Sequence, residues 1–385
     1  RMVMPSLGLY IHVPFCERKC PYCDFNTYAG LRHLYAPYAR ALAREITLAG
    51  EALGHPPART VFLGGGTPTV LPTELLGEVL EAVRRAFALL PDAEITAEAN
   101  PGTVDRARFA GLRALGVNRL SMGAQSFHDD ELRFLGRIHS AEDIERAFAA
   151  ARVAGFDNVN LDLIYGLPGQ PVDQWRRTLA RAVALGPEHI SCYALTVEAG
   201  TPLAHWVEEG RVPPPDEDRA ADLYEEAEAS LAAAGYQHYE ISNWARQAEA
   251  DYRAQHNLIY WRNEPYLGFG AGAHSSLGGR RWWNVRAPEA YIRRLESGED
   301  VTEGEETIDE ALAMGETMML GLRLVQEGVS REGFAKRHGR DLEEVYADEL
   351  QELERWGLIE RSRARVRLTR RGRLLGNQVF RRFLP

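Results

Sequence analysis

The chain has 385 residues, with 45 Lys and Arg against 55 Asp and Glu and a net charge of −10. That length exceeds one ordinary domain and predicts a large domain with a smaller appendage. A hydrophobic content of 45% with 26% charged residues excludes wholesale disorder, and four cysteines are too few for a disulfide scaffold. The acidic balance argues against nucleic acid as the main partner.

The N-terminal stretch RMVMPSLGLYIHVPFC has too short an apolar run for a signal peptide. No apolar run reaches the ~18 residues of a membrane span. The expectation is a cytoplasmic chain, touching a membrane only peripherally if at all.

Short β-branched runs predict strands at 7–13, 60–63, 94–98, 119–122, 159–164 and 189–194. Amphipathic runs lie between them. Over 73–87, Leu75, Leu76, Val79, Leu80, Val83 and Phe87 keep to one stripe, with Thr73 as the expected cap. Over 140–154, Ser140 and Asp143 read as a capping box and Gly155 closes the helix. Such alternation predicts an α/β fold with a parallel sheet. Six units in roughly 200 residues suit a partial (β/α)6 TIM-like barrel; pattern alone also permits a doubly wound open sheet.

The pattern changes after residue 200. RVPPP at 211–215 breaks the chain ahead of a long Ala/Glu-rich helix over 216–234, and 235–285 is rich in aromatics and glycine. From about 305 the chain reads as three helices and two short strands, resembling a winged-helix module. The expected divisions are therefore 1–200, 201–304 and 305–385. Ten arginines fall between Arg355 and Arg382. A basic wing suits nucleic acid. In an acidic chain, a packing module with a solvated arginine face is the simpler reading.

Cys16, Cys20 and Cys23 fall within eight residues, in YIHVPFCERKCPYCDFN. Thiolates at i, i+4 and i+7 converge only if the backbone wraps in a tight loop, and Pro21 favours irregular structure there. Three thiolates suit a [4Fe–4S] cluster with one iron left free. Zinc with a further ligand such as His12 is the alternative. Cys192 lies in the apolar run HISCYALT and reads as a buried small hydrophobe.

CxxxCxxC after the first strand, preceded by Y-I-H-V-P-F, resembles the radical S-adenosylmethionine (SAM) superfamily. The likeness runs on through Gly64–Pro68, Glu98, SMGAQSF, DLIYGLPGQ and the C-terminal module. It is similar to the branch that holds the oxygen-independent coproporphyrinogen III dehydrogenases and the haem chaperones related to them, the HemN/HemW branch. The resemblance implies a three-cysteine cluster whose free iron chelates SAM, supplied by an electron donor, with the protein positioning and shielding the cofactors. It also implies that Tyr10, Tyr22, Gly65, Gly66, Thr67, Glu98, Gln125, Arg137 and Asp162 contact SAM. On the residues themselves, adjacent glycines permit close backbone approach to a ligand. LGGGTPT is not a P-loop, because no G-K-[ST] follows. Asp162 sits in an apolar run and needs a partner, for which Arg137 is the candidate.

Two departures separate the members of the branch. The decarboxylating members carry a fourth cysteine two residues after the third; here that position is Phe25. Residues 256–261 read HNLIYW and match an H-N-x-x-Y-W motif that the resemblance associates with haem. Imidazole ligates haem iron and aromatic side chains pack on porphyrin. His256 is the candidate ligand, with Asn257, Tyr260 and Trp261 beside it. His274 is a second candidate, and Arg253, Arg262, Arg280 and Arg281 are candidates for pairing with propionates.

The expected function is binding haem and delivering it to acceptor haemoproteins, respiratory ones among them. The alternative is an oxygen-independent coproporphyrinogen III dehydrogenase or another radical SAM enzyme of porphyrin metabolism. A winged-helix regulator with a sensor cluster is a third class. The sequence leaves oligomeric state open.

Overall fold

A computed structural model describes residues 5–385. In chain order, the first part runs β1 (Leu7–Val13), β2 (Phe15–Cys16), β3 (Tyr28–Ala29), α1 (Tyr35–Leu53), β4 (Pro57–Gly65), α2 (Thr73–Ala86), β5 (Ala88–Ala99), α3 (Arg106–Ala114) and β6 (Arg119–Gln125). It continues with α4 (Asp129–Phe134), α5 (Ala141–Val153), β7 (Val159–Tyr165), α6 (Val172–Leu185) and β8 (His189–Ala194). Strands β1, β4, β5, β6, β7 and β8 are neighbours in that order and all parallel. The sheet does not close. This is the expected partial barrel. All six predicted strands exist; β4, β5, β6 and β7 run longer than the sequence suggests, and β1 and β8 have the expected bounds.

Local signals held in part. Ser140 and Asp143 form the capping box at the start of α5, and Gly155 follows that helix at φ +94°. Thr73 does not cap α2: the cap position is Pro72, with no side-chain bond. Pro before a helix sets the entry angle by its fixed φ, which leaves Thr73 inside the first turn.

The next segment adds strands to both edges of this sheet. It holds α7 (Pro202–Glu208), α8 (Glu217–Ala233), β9 (Tyr236–Glu240), β10 (Asn243–Arg246), α9 (Gln255–Trp261), β11 (Tyr266–Phe269), β12 (His274–Leu277), β13 (Arg280–Asn284), α10 (Pro288–Ser297) and β14 (Thr302–Thr307). β10 pairs antiparallel with β8, while β11 pairs parallel with β1 on the opposite edge. The sheet thus has twelve strands, ordered β14-β13-β12-β11-β1-β4-β5-β6-β7-β8-β10-β9. The seventh parallel strand, β11, gives no strand signal in sequence because YLGF is short and glycine-interrupted.

The final segment holds α11 (Glu310–Gly321), β15 (Val329–Ser330), α12 (Arg331–His338), α13 (Leu342–Val345), α14 (Ala347–Arg355), β16 (Ile359–Arg361), β17 (Arg365–Leu368), α15 (Arg370–Leu374) and α16 (Gly376–Phe380). Its three-stranded sheet, β15-β17-β16, has a core of its own around Met318, Phe334, Leu350 and Val366. Several of the wing arginines are engaged. Arg361 pairs with Glu343 and Glu354, and Arg373 pairs with Glu228 of α8.

The barrel interior has a polar lining written at period 2. Glu94, Thr96 and Glu98 of β5 share one strand face, as do Arg119, Ser121 and Gly123 of β6, Asn160 and Asp162 of β7, and His189, Ser191 and Tyr193 of β8. The intervening Leu120, Met122, Leu161, Leu163 and Ile190 are buried on the other face, against the helices.

Candidate functional site

The cysteines lie at one end of this interior. Cys16 closes β2, and the turn after it is fixed by the Cys23 N–H donating to the Cys20 carbonyl at 3.1 Å. All three thiols are free and half-buried, and they line one cavity of about 670 Å³. Among the described residues no three Cys, His, Asp or Glu side chains gather around a single-ion site. Sulfurs on one zinc must stand within about 4 Å of each other, since each Zn–S bond is ~2.3 Å. Three thiols on one loop suit three irons of one cluster, with the fourth iron left free.

Three side chains hold the sulfurs, Thr27 Oγ1 lying 3.9 Å from Cys23 Sγ. Thr67 Oγ1 donates to Cys16 Sγ at 3.8 Å, and Arg137 Nη1 donates to Cys20 Sγ at 3.4 Å. Burial raises the Cys16 and Cys23 thiols above their ordinary pKa. The thiolate form therefore needs a positive neighbour, which a bound metal cluster provides.

Gly65 ends β4, Gly66 and Thr67 follow it, and all three line the same cavity. Their glycines are required first by the protein itself. Gly65 has φ +109°, and a Cβ there would stand 2.4 Å from His12 Nδ1; one on Gly66 would stand 2.5 Å from the Phe15 carbonyl. Close approach to a ligand is a second use of a backbone already stripped for β1 and the cysteine loop.

Glu98 Oε2 accepts the Gly65 N–H at 3.0 Å. Burial, and then the nearby Asp162 charge, push its pKa up to about 8. Gln125 lies where β6 bulges, at φ +70°, a backbone region that non-glycine residues rarely enter. Arg137 Nη2 donates to the Gly123 carbonyl at 2.9 Å. Tyr22 packs against Leu135, Ile164, Leu167 and Leu195 at the rim. Phe25 is 65% exposed at the same rim. Asp162 does line the cavity, but its partner is not Arg137. It accepts from Ser121 Oγ at 3.2 Å and Asn160 Nδ2 at 2.9 Å, a hydroxyl on the neighbouring β6 and an amide on its own strand. The Arg137 guanidinium instead serves Cys20 and Gly123 above.

Tyr10 stands apart from that lining. Its hydroxyl lies 2.9 Å from His12 Nδ1, and its ring stacks on Phe62. His12 Nε2 lies 2.8 Å from the Asn26 carbonyl, three residues beyond Cys23. Asn26 Nδ2 in turn donates to the Ala271 and Arg286 carbonyls. His12 and Asn26 thus brace the cysteine loop. The strand parity of YIH, polar at Tyr10 and His12, was the available signal.

HNLIYW lies at the opposite end. α9 begins on Glu94, whose carboxylate accepts the Gln255 and His256 N–H groups at 2.9 and 3.1 Å. It thus floors the barrel. His256 is 1% exposed; Nδ1 lies 2.7 Å from Thr60 Oγ1 and Nε2 lies 2.8 Å from Tyr260 Oη. Burial, with the Arg119 charge, lowers its pKa to about 3, so the ring is neutral. Asn257 faces the cavity. Tyr260 stacks edge-on against His256, and Trp261 lies under the Arg323 guanidinium at 4.4 Å. His274 is exposed on β12 and stacks on Trp283. The candidate propionate partners are engaged with acids: Arg253 with Asp251, Arg262 with Glu327, Arg280 with Glu305, and Arg281 with Glu306 and Glu316. Cys192 is 1% exposed in β8, as expected of a packing residue.

A cysteine loop above the strand ends, a glycine turn at the end of the second barrel strand and a carboxylate near the end of the third are the arrangement of a radical SAM protein. Residues 10–182 match the radical SAM superfamily model, and 308–375 match the HemN C-terminal domain. The chain is 40% identical to heme chaperone HemW of Bacillus subtilis, over 97% of this chain and 98% of that one. It is 38% identical to heme chaperone HemW of Escherichia coli, over 99% of each. Among solved structures it resembles coproporphyrinogen III oxidase (HemN) from Escherichia coli, with a TM-score of 0.84 and 25% identity over 98% of this chain and 90% of that one. The chain belongs to the radical SAM superfamily and, within it, to the HemW family. That superfamily implies a [4Fe–4S] cluster and SAM. Among the described residues no helix is long and apolar enough to cross a membrane.

Proposed function

We propose that this protein binds haem and passes it to acceptor haemoproteins in the cytoplasm or at a membrane surface, with a SAM-bearing cluster on Cys16, Cys20 and Cys23 as its helper. The observation that carries the reading is full-length similarity to proteins named heme chaperone HemW. Phe25, in place of a fourth clustered cysteine, weighs against the coproporphyrinogen reaction.

When bound, the cluster and SAM together supply reductive cleavage of the sulfonium bond. The chain's own part is to hold and shield them. Thr67 and Arg137 fix the sulfurs, Glu98 offers a carboxylate for the SAM ammonium, and Gln125 and Asp162 line the walls beneath. Tyr22, Gly65 and Gly66 close the upper rim, and Tyr10 acts from behind through His12.

His256 is the proposed haem ligand, neutral and so competent to bind iron. It is sheathed in the floor and must exchange the Tyr260 contact for the metal as α9 moves, carrying Asn257, Tyr260 and Trp261 with it. His274 offers a second reading, favoured by its exposure beside Trp283. Anaerobically reconstituted protein titrated with haemin should develop a Soret band that weakens in His256→Ala. A band lost in His274→Ala and kept in His256→Ala transfers the site to β12. Conversion of coproporphyrinogen III with stoichiometric 5′-deoxyadenosine would overturn the chaperone reading.

A further inference from the structure

The C-terminal module grips the floor helix at its far end. The chain leaves α9 through Arg262 and Asn263, and both carbonyls accept from the Arg337 guanidinium of α12, that of Arg262 at 3.1 Å. Glu327 forks onto Arg262, taking Nε at 3.0 Å and Nη2 at 2.9 Å. Thr317 Oγ1 of α11 accepts from Asn263 Nδ2 at 3.2 Å. Apolar contact joins the same pieces. Leu324 of the module packs with Leu258 of α9. The Arg323 guanidinium covers the Trp261 ring and donates to the fully buried Glu240 at 2.7 Å.

A helix of seven residues makes too few internal hydrogen bonds to stand alone in water. α9 therefore depends on the surfaces at its two sides. One is the barrel, through Glu94 and Thr60. The other is a module with a core of its own, seated largely through ion pairs and guanidinium–carbonyl bonds. Polar seams between parts of one chain permit relative motion.

We infer that α9 and the seated C-terminal module form one opening unit. In sequence α9 lies between barrel strands β10 and β11, yet it leaves the floor only when the module lifts. The module is thus the latch of the barrel floor. The latch acts whether or not haem binds His256. Its consequence for haem delivery rests on that reading, in which seating of the module governs release of the imidazole.

A remote anchor makes the unit testable. Arg373 of α15 pairs with Glu228 of α8 at 2.9 Å and, among the described residues, has no hydrogen bond or ion pair to α9. Two backbone bonds mark the seam, from the Ile241 N–H to the Arg323 carbonyl and from the Val325 N–H to the Tyr239 carbonyl, each 3.1 Å. In a single unit, loss of any anchor raises the open population of every member by one factor. In a helix that opens alone, only contacts on α9 count.

The experiment is residue-resolved hydrogen exchange on the full chain with cluster and SAM in place. The amides of Leu258 and Arg262 report the floor, those of Ile241 and Val325 the seam, and that of Leu161 in β7 the barrel. Arg337→Ala and Arg373→Ala should each speed floor and seam amides by a common factor, about three- to tenfold, with Leu161 unmoved. Arg176→Ala removes a fork onto Glu226 between α6 and α8 and should move neither set. Faster floor exchange in Arg337→Ala, with the floor of Arg373→Ala unchanged, would show a helix that opens by itself and overturn the inference. So would no change in either variant, an equal rise at Leu161, or acceleration in Arg176→Ala. Should Arg337→Ala or Arg373→Ala not fold, Glu327→Gln or Glu228→Gln takes its place with the same expectation. Haemin titration of Arg373→Ala reports the chaperone reading separately: with His256 as ligand, affinity rises with the open population. Unchanged affinity beside accelerated exchange counts against His256 and leaves the latch standing.

Discussion

His256 Nδ1 stands 2.7 Å from Thr60 Oγ1, a contact between residues 196 positions apart that locks the floor helix to β4. Thr60→Val is isosteric and leaves that nitrogen buried without a partner. The expected cost is about 1–3 kcal/mol of stability. If haem is ligated by His256, the loosened floor should also tighten haemin binding. Thermal melts and Soret titrations of the variant check both; a destabilised protein with unaltered haemin affinity would remove His256 from the ligand role.

The raised pKa of Glu98, about 8, makes SAM binding pH-dependent. Below that value the free protein holds Glu98 neutral, and pairing with an ammonium requires it to lose its proton. Affinity should therefore rise with pH from 6 to 8, by up to about tenfold per unit, and then level off. Binding at pH 7 should release close to one proton. Anaerobic calorimetry in two buffers of different ionisation enthalpy measures this release, and Glu98→Gln should bind weakly with a flat profile.

Arg137 joins Cys20 to the Gly123 carbonyl. Arg137→Lys keeps the charge but cannot span both. Reconstituted variant should retain iron and lose SAM affinity by about 10-fold, as expected for an Arg fork replaced by a point charge. Iron assay with SAM-dependent change in the reduced-cluster EPR signal separates these. Loss of iron itself would show Arg137 to be needed for assembly.

Glu45 of α1 is partly buried, accepting from the Gly270 N–H at 2.8 Å, Asn284 Nδ2 at 2.8 Å and the Tyr291 hydroxyl at 3.1 Å. Burial outweighs these donors and raises its pKa to about 7. A folded value above the unfolded one means the favourable contribution is complete below the unfolded pKa and is lost as pH climbs through about 7. Stability should fall by up to about 1.4 kcal/mol per unit between pH 5 and 7 from this group. Glu45→Gln should flatten that slope, as read from denaturant midpoints across the range.

The barrel strands were legible because each carries a short run with apolar or β-branched residues at every second position, and the capping box at Ser140 because its two residues suffice without tertiary help. β11 was hidden, since a four-residue strand with Gly268 owes its pairing to β1 and not to propensity. The cysteine triplet and Glu98 stand out as residue types at fixed offsets. Arg119 did not, because a lone arginine at a strand start reads as a solvated terminus; only strand parity with Ser121 and Gly123 turns it inward. His256 was legible as a motif, while its burial was not. Which end of the barrel a seven-residue helix covers is decided by Glu94 and Thr60, distant in the chain.

Asn26 fastens the cysteine loop to the carbonyls of Ala271 and Arg286, and β1 has β11 as one neighbour. During synthesis the cysteines emerge first, yet the surfaces that shape their loop are made some 250 residues later. At ribosomal rates of 5–20 residues per second that interval is roughly 10–50 s, a period in which the thiols exist without their frame. A truncated product ending before Arg286 should therefore emerge with its cysteines intact and the frame of their loop unbuilt.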